Sequence, residues 1–114
     1  MISVKRIYQP KSPSDGYRIL VDRLWPRGIS KQAAAIDLWM KDIGPSSELR
    51  QWFGHEPAKW PEFREKYHKE LTAKEDMLEE VKTLANKHEN VTLLYSAKDE
   101  KRNQAVVIAE LLGG

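Results

Sequence analysis

The sequence predicts a single α/β domain over residues 1–114, built on a mostly parallel sheet of about four strands flanked by helices. Three observations predict it. A chain of 114 residues holds one hydrophobic core and is too short for two. Short branched and aromatic runs are interspersed with segments of helical periodicity. The last helical segment, Ala105 to Leu112, is apolar on nearly every side, and such a helix has to be buried, here against the sheet.

The elements follow in order. Ile2 to Ile7 alternates weakly and reads as a first strand. Tyr8 to Gly16 carries Pro10, Ser12, Pro13, Ser14 and Asp15-Gly16, which is turn chemistry. That linker is shorter than the dozen or so residues of a usual parallel crossover, so the relative direction of the first two strands stays open. Tyr17 to Val21 favours a second strand. It must end before Pro26, which cannot donate to a ladder, and Gly28, which admits backbone angles that other residues avoid. Ser30 can cap a short helical turn through Ala33-Ala34-Ala35, and Ile36 to Trp39 reads as a short third strand, with helix as the competing reading. After Gly44-Pro45, Ser46 or Ser47 offers an N-cap to a brief helix that turns Leu49, Trp52 and Phe53 inward and stops at Gly54.

Two longer helices come next. Pro61 suits a first helical position, and Phe63, Tyr67 and Leu71 form one apolar stripe. Thr72 is the expected cap of the following helix, whose stripe is Met77-Leu78, Val81 and Leu84-Ala85 and which breaks at Asn90. Val91 to Tyr95 is the clearest strand in the chain, and Asp99 is the expected N-cap of the last helix.

Composition excludes several functions. Without cysteine there are no disulfides, thiolate metal sites or cysteine nucleophile. No apolar run approaches the roughly 20 residues that cross a bilayer, and the N-terminus lacks a signal-peptide pattern, so a cytoplasmic location is expected. His68 and His88 have no matching ligand set, so neither a metal nor a cofactor is expected. The net charge of +2 hides an asymmetry: residues 1–31 hold seven basic and two acidic residues, and the remainder holds an acidic excess. A basic third of this kind suits an anionic partner, phosphate or nucleic acid, although solvated surface charge explains it as simply.

The candidate site lies where two strands end. The second strand runs into Asp22-Arg23-Leu24-Trp25-Pro26-Arg27-Gly28, and the last runs into Ser96-Ala97-Lys98-Asp99 before a helix. If the strands are parallel, both loops open on one sheet edge, where α/β proteins hold ligands. Arg23 and Arg27 would clamp an anion, Lys98 would neutralise it, and Ser96 and Asn103 would orient it near the free amides of the helix start. Arg23 has a structural alternative, pairing with Asp22 or Asp37. Trp25, among turn residues, is the tryptophan expected at the surface, while the other three fill core. Asp22 and His55 are the candidate acid–base groups, and His55 serves as readily to cap the preceding helix. The loops lack the glycines of a dinucleotide or phosphate-cradling motif.

A family resemblance rests on Arg18 to Gly28, Lys41-Asp42, Pro45-Ser46, Leu49-Arg50, Gly54-His55, Phe63-Arg64, Tyr67, Glu70-Leu71, Thr92 to Asp99, Asn103 and Ala105. In these residues the chain resembles the YeaO-like family of small bacterial proteins of unknown function. The resemblance implies a small cytosolic α/β protein whose motif residues cluster in the two loops. Longer, more distant relatives resemble a Cys-His-Arg pattern where this chain has Arg102-Asn103-Gln104, a departure that removes thiol chemistry and leaves an anion-binding helix start. The functional expectation is therefore a pocket for a small phosphorylated or carboxylated ligand, catalytic or not. Its alternatives are a nucleic-acid-binding accessory protein using the basic third and Trp25, and a protein-interaction module. Oligomeric state is left open.

Overall fold

The computed structural model describes residues 1–113. Four strands, β1 (Ile2–Arg6), β2 (Tyr17–Leu20), β3 (Leu38–Trp39) and β4 (Val91–Tyr95), form one parallel sheet in the order β1-β4-β2-β3. The helices are α1 (Lys31–Ala34), α2 (Ser47–Phe53), α3 (Trp60–Thr72), α4 (Glu75–His88) and α5 (Gln104–Leu111). None among the described residues is long and apolar enough to cross a membrane.

Strand β4 lies between β1 and β2, and all five of its residues are buried. A strand covered on both faces needs a continuous apolar run, and Val-Thr-Leu-Leu-Tyr is close to one. The direction of β1 is now decided: it runs parallel to β2, separated from it by β4. Residues 7–16 make that crossover without an α-helix. Ten residues reach at most about 33 Å, and the return needs only about 17 Å of strand length and two strand spacings of about 4.8 Å. At its end Gly16 takes φ +64°, and a side chain there would collide with the Asn90 carbonyl beside which β2 begins.

The two faces of the sheet are covered differently. Ile19, Val21, Val91, Leu93 and Tyr95 pack against buried residues of α2 to α5, including Phe63, Tyr67, Leu71, Val81 and Ile108. The periodic stripes of α3 and α4 are therefore real inner faces. On the opposite face Ile7, Leu20, Ala34 and Leu94 form a smaller cluster, closed by Trp25, Ile29, Ile36 and Trp39. Among the described residues that side is covered by loops, the 3-10 turn Pro13–Asp15 and the one-turn α1.

Several local expectations hold in detail. Ser30 caps α1, Ser46 caps α2, and Gly54 ends α2 in the left-handed conformation. Two caps differ. Thr72 closes α3 by donating to the Lys69 carbonyl, and Lys74 precedes α4 without a side-chain cap. Asp99 instead accepts from the amides of Lys101 and Arg102 in a turn, and Asn103, four residues on, caps α5 through the Val106 amide. The intervening turn delays the helix, so the nearest good capping residue moves with it.

Beneath the crossover lies a buried charge network. Arg18, 1% exposed, donates to the Asp15 carboxylate at 2.5 Å and to the Ala34 and Ala35 carbonyls that end α1. Lys5 reaches the same carboxylate at 3.0 Å, and Thr92 on β4 donates to the Asp15 carbonyl. Burial pushes the Asp15 carboxyl up, but the Ser12 amide, Lys5 and Arg18 outweigh it and hold its pKa below the ordinary value. Replacing Asp15 by Asn strands the Arg18 guanidinium, and the expected cost is about 3–5 kcal/mol. A carboxyl with a lowered folded-state pKa stabilises above its unfolded-state pKa and loses that contribution as pH falls through the folded value. Urea denaturation at a series of pH values checks both statements: the gap between the native chain and Asp15→Asn should close as pH drops below the carboxylate range.

Candidate functional site

Parallel strands deliver their C-terminal ends to one edge. Here Arg6 ends β1, Val21-Asp22-Arg23 extends β2 and Ser96 follows β4. The loops that leave β2 and β4 meet there and wall one cleft of about 760 Å³, with α2 and Phe63 closing another side. All eight residues singled out from the sequence (Asp22, Arg23, Trp25, Arg27, His55, Ser96, Lys98 and Asn103) line it.

Asp22 braces the floor. Its carboxylate accepts from the Ser96 amide at 3.1 Å and from the Gln104 side chain, and its carbonyl accepts from the Trp39 indole at 2.7 Å. One residue thus ties the end of β2 to β3, β4 and the start of α5. Burial pushes its carboxyl above the ordinary value, and the Ser96 and Gln104 hydrogen bonds and the Arg50 charge offset this only in part.

The cleft's cations divide into two groups. Arg23 donates to the Pro45 carbonyl at 3.0 Å and the Gly44 carbonyl at 2.9 Å, with Asp42 at 3.9 Å. The partners weighed from sequence, Asp22 and Asp37, are not the ones it uses, because Asp22 is taken and Asp37 accepts the Arg18 backbone amide. Arg6 donates to the Ser96 and Ala97 carbonyls, and Arg102 pairs with Asp99 at 3.2 Å. Arg27, Arg50 and Lys98 have no side-chain hydrogen bond or ion pair among the described residues. These three come from three different segments and face one space.

The remaining candidates take clear positions. Trp25 is half-buried rather than exposed: its indole donates to the Ile29 carbonyl at 2.8 Å and meets Trp39 edge-on, with centroids 5.3 Å apart. The turn that carries it closes back on itself, with Gly28 at φ +73°. Asn103 spends its carbonyl on the Val106 amide and its amide on the Asp99 carbonyl. Ser96 offers its backbone to Asp22 and Arg6. His55 does not cap α2, since the Gly54 amide already meets the Arg50 carbonyl. It sits exposed at the rim at φ +59°, its ring 6.1 Å from that of Phe53.

Sequence reading missed Arg6, Arg50 and Gln104. Arg50 carried a signal, since it stands three residues before Phe53 on a short helix and so shares its face. Arg6 could have been placed only with the direction of β1 known. Gln104 has no local signal, because its partner is 82 positions away.

Comparison with known proteins adds the following. The family model described as the inactive DUF488-N3 subclade matches residues 1–114. The chain is 51% identical over 113 residues to the uncharacterised protein YeaO of Escherichia coli K12, covering 97% of this chain and 96% of that one. It is 39% identical over 113 residues to the uncharacterised protein Rv3073c of Mycobacterium tuberculosis H37Rv, covering 99% and 94%. The uncharacterised protein Mb3100c of Mycobacterium bovis matches to the same extent. No solved structure matches.

The two groups of cations should separate on substitution. Arg23→Ala removes two bonds from a charged donor to carbonyls, and an expected loss of about 1.5–3 kcal/mol follows. Arg27→Ala and Lys98→Ala, at exposed positions, should stay within about 0.5 kcal/mol of the native chain. Chemical denaturation of the three variants measures this directly.

Proposed function

The chain belongs to the YeaO-like proteins of the inactive DUF488-N3 subclade, and from that premise we propose that its cleft binds a small anionic ligand without turning it over. The observation that carries this reading is the presence of Arg27, Arg50 and Lys98 around one cavity, none with a side-chain hydrogen bond or ion pair among the described residues. Cations held in a concave site with protein walls attract an anion more strongly than the same charges spread over a convex surface. Arginine adds a planar fork that matches phosphate or carboxylate.

Binding is favoured over catalysis by the state of the polar groups. Both carboxylate oxygens of Asp22 are hydrogen-bonded, and His55 stands at the rim with no base or nucleophile bonded to it among the described residues. The word inactive in the family description agrees with that arrangement. A nucleic-acid role draws less support. Much of the basic N-terminal third is consumed internally, with Arg18 buried, Lys5 on Asp15, and Arg6 and Arg23 on carbonyls. The Trp25 ring, which base stacking would need, is packed against Trp39.

A thermal-shift screen with phosphorylated and carboxylated metabolites near a millimolar tests the proposal. A ligand at 100 times its Kd stabilises by about 2.7 kcal/mol, which is a rise of several degrees for a domain of this size. Arg27→Ala and Lys98→Ala should abolish the rise and leave the ligand-free Tm nearly unchanged. Absence of any shift across the panel overturns the proposal. Strongly salt-dependent binding of a mixed oligonucleotide, lost in the same variants, would replace it with a nucleic-acid role.

A further inference from the structure

The walls of the cleft hold information that charge alone does not. Its volume of about 760 Å³ falls in the range of about 300–1,000 Å³ that encloses an organic ligand. A bare phosphate or carboxylate would leave most of it to water. Arg50 and Phe53, three residues apart on α2, share one helical face, and both line the cavity. Phe53 stacks on Phe63, with centroids 4.3 Å apart and planes 25° apart, and Phe63 lines it too. On the loop after β2, Leu24 is 63% exposed, the most exposed large apolar side chain of the described residues after Met1, and it lies on the same cleft. Tyr8, 40% exposed, lines it as well, held by a 2.6 Å hydrogen bond from its hydroxyl to the Arg27 carbonyl. Cations without a side-chain hydrogen bond or ion pair among the described residues therefore meet two uncovered apolar side chains, Leu24 and Tyr8, in one hollow. Phe53 and Phe63 lie buried behind it at 6% and 2% exposure.

We infer that the ligand is an organic anion whose charged group is carried on an aromatic or other apolar body. The charged group rests at Arg50, Arg27 and Lys98, and the body lies against Leu24 and Tyr8, with the buried rings of Phe53 and Phe63 behind them. This rests on the anion-binding reading above and narrows it to a ligand class. Apolar surface left in water beside a charge is covered most effectively by a ligand having both characters, and a pocket of mainly apolar lining with a few placed polar groups is the usual form of such a site.

Calorimetric titration of the full chain with phenyl phosphate, glycerol 3-phosphate, inorganic phosphate and phenol separates the two readings. The first three share a head group and differ in body. Phenyl phosphate should bind at least about tenfold more tightly than glycerol 3-phosphate or inorganic phosphate, the order of effect of one apolar group in an apolar pocket. Leu24→Ser, at an exposed position, should reduce that advantage and leave inorganic phosphate unaffected, whereas Arg50→Ala should weaken all three phosphates. Equal affinity for the three phosphates overturns the apolar-body inference and leaves anion binding standing. No binding by any of them, or phenol binding as tightly as phenyl phosphate, overturns both.

Discussion

The placement of β4 between β1 and β2 is the constraint on which the rest depends. A strand paired on both edges and covered on both faces has to be apolar or, as at Thr92, to satisfy its polar group internally, and its neighbours have to accept its direction. Once all four strands run parallel, their four C-terminal ends arrive at one edge, and the residues that follow β1, β2 and β4 become neighbours in the cleft. The cleft is thus a consequence of strand order before it is a consequence of any side chain. The same order obliges residues 7–16 to pass over the sheet, so that one face is covered by chain with little regular structure of its own.

That loop-covered face explains why polar groups lie so deep. Extended chain has unpaired backbone groups, and these need partners when buried. Arg18 supplies three donors to Asp15 and the end of α1, and Thr92 supplies one more. Asp22 does the equivalent at the opposite end of β2, taking an amide from the β4 loop and a side-chain amide from α5. One strand is therefore anchored at each end by a buried carboxylate. The two differ in electrostatics: Asp15 is held charged by Lys5 and Arg18, whereas Asp22 has neutral donors and its carboxyl is pushed up.

The arginines of the edge show how one residue type divides by surroundings. A guanidinium close to the open carbonyls of a tight turn, as Arg23 is at Gly44 and Pro45, becomes part of the scaffold. One that projects from a helix face over open space, as Arg50 does, retains its donors. Residue identity and spacing describe both in the same way. What separates them is whether a carbonyl ends within hydrogen-bond reach, and that is set by the path of a segment about 20 residues away in the chain.

The sequence by itself determined the element types, the helical inner faces and the family. Each depends on short-range physics: the apolar run of β4, the four-residue spacing of Phe63, Tyr67 and Leu71, the serine caps and the Gly54 stop. It also located the two loops that form the cleft, because a strand that breaks into Pro and Gly, or into Ser and Asp, ends wherever it is placed. Only the tertiary structure decided the direction of β1, the half-buried position of Trp25, the shift of the α5 cap from Asp99 to Asn103, and which cations remain uncommitted. These are settled by pairings between residues distant in the chain, such as Asp22 with Gln104 and Arg6 with Ala97. Such pairings leave no trace in local periodicity, since each partner's own neighbourhood is compatible with many others until strand order brings one of them within reach.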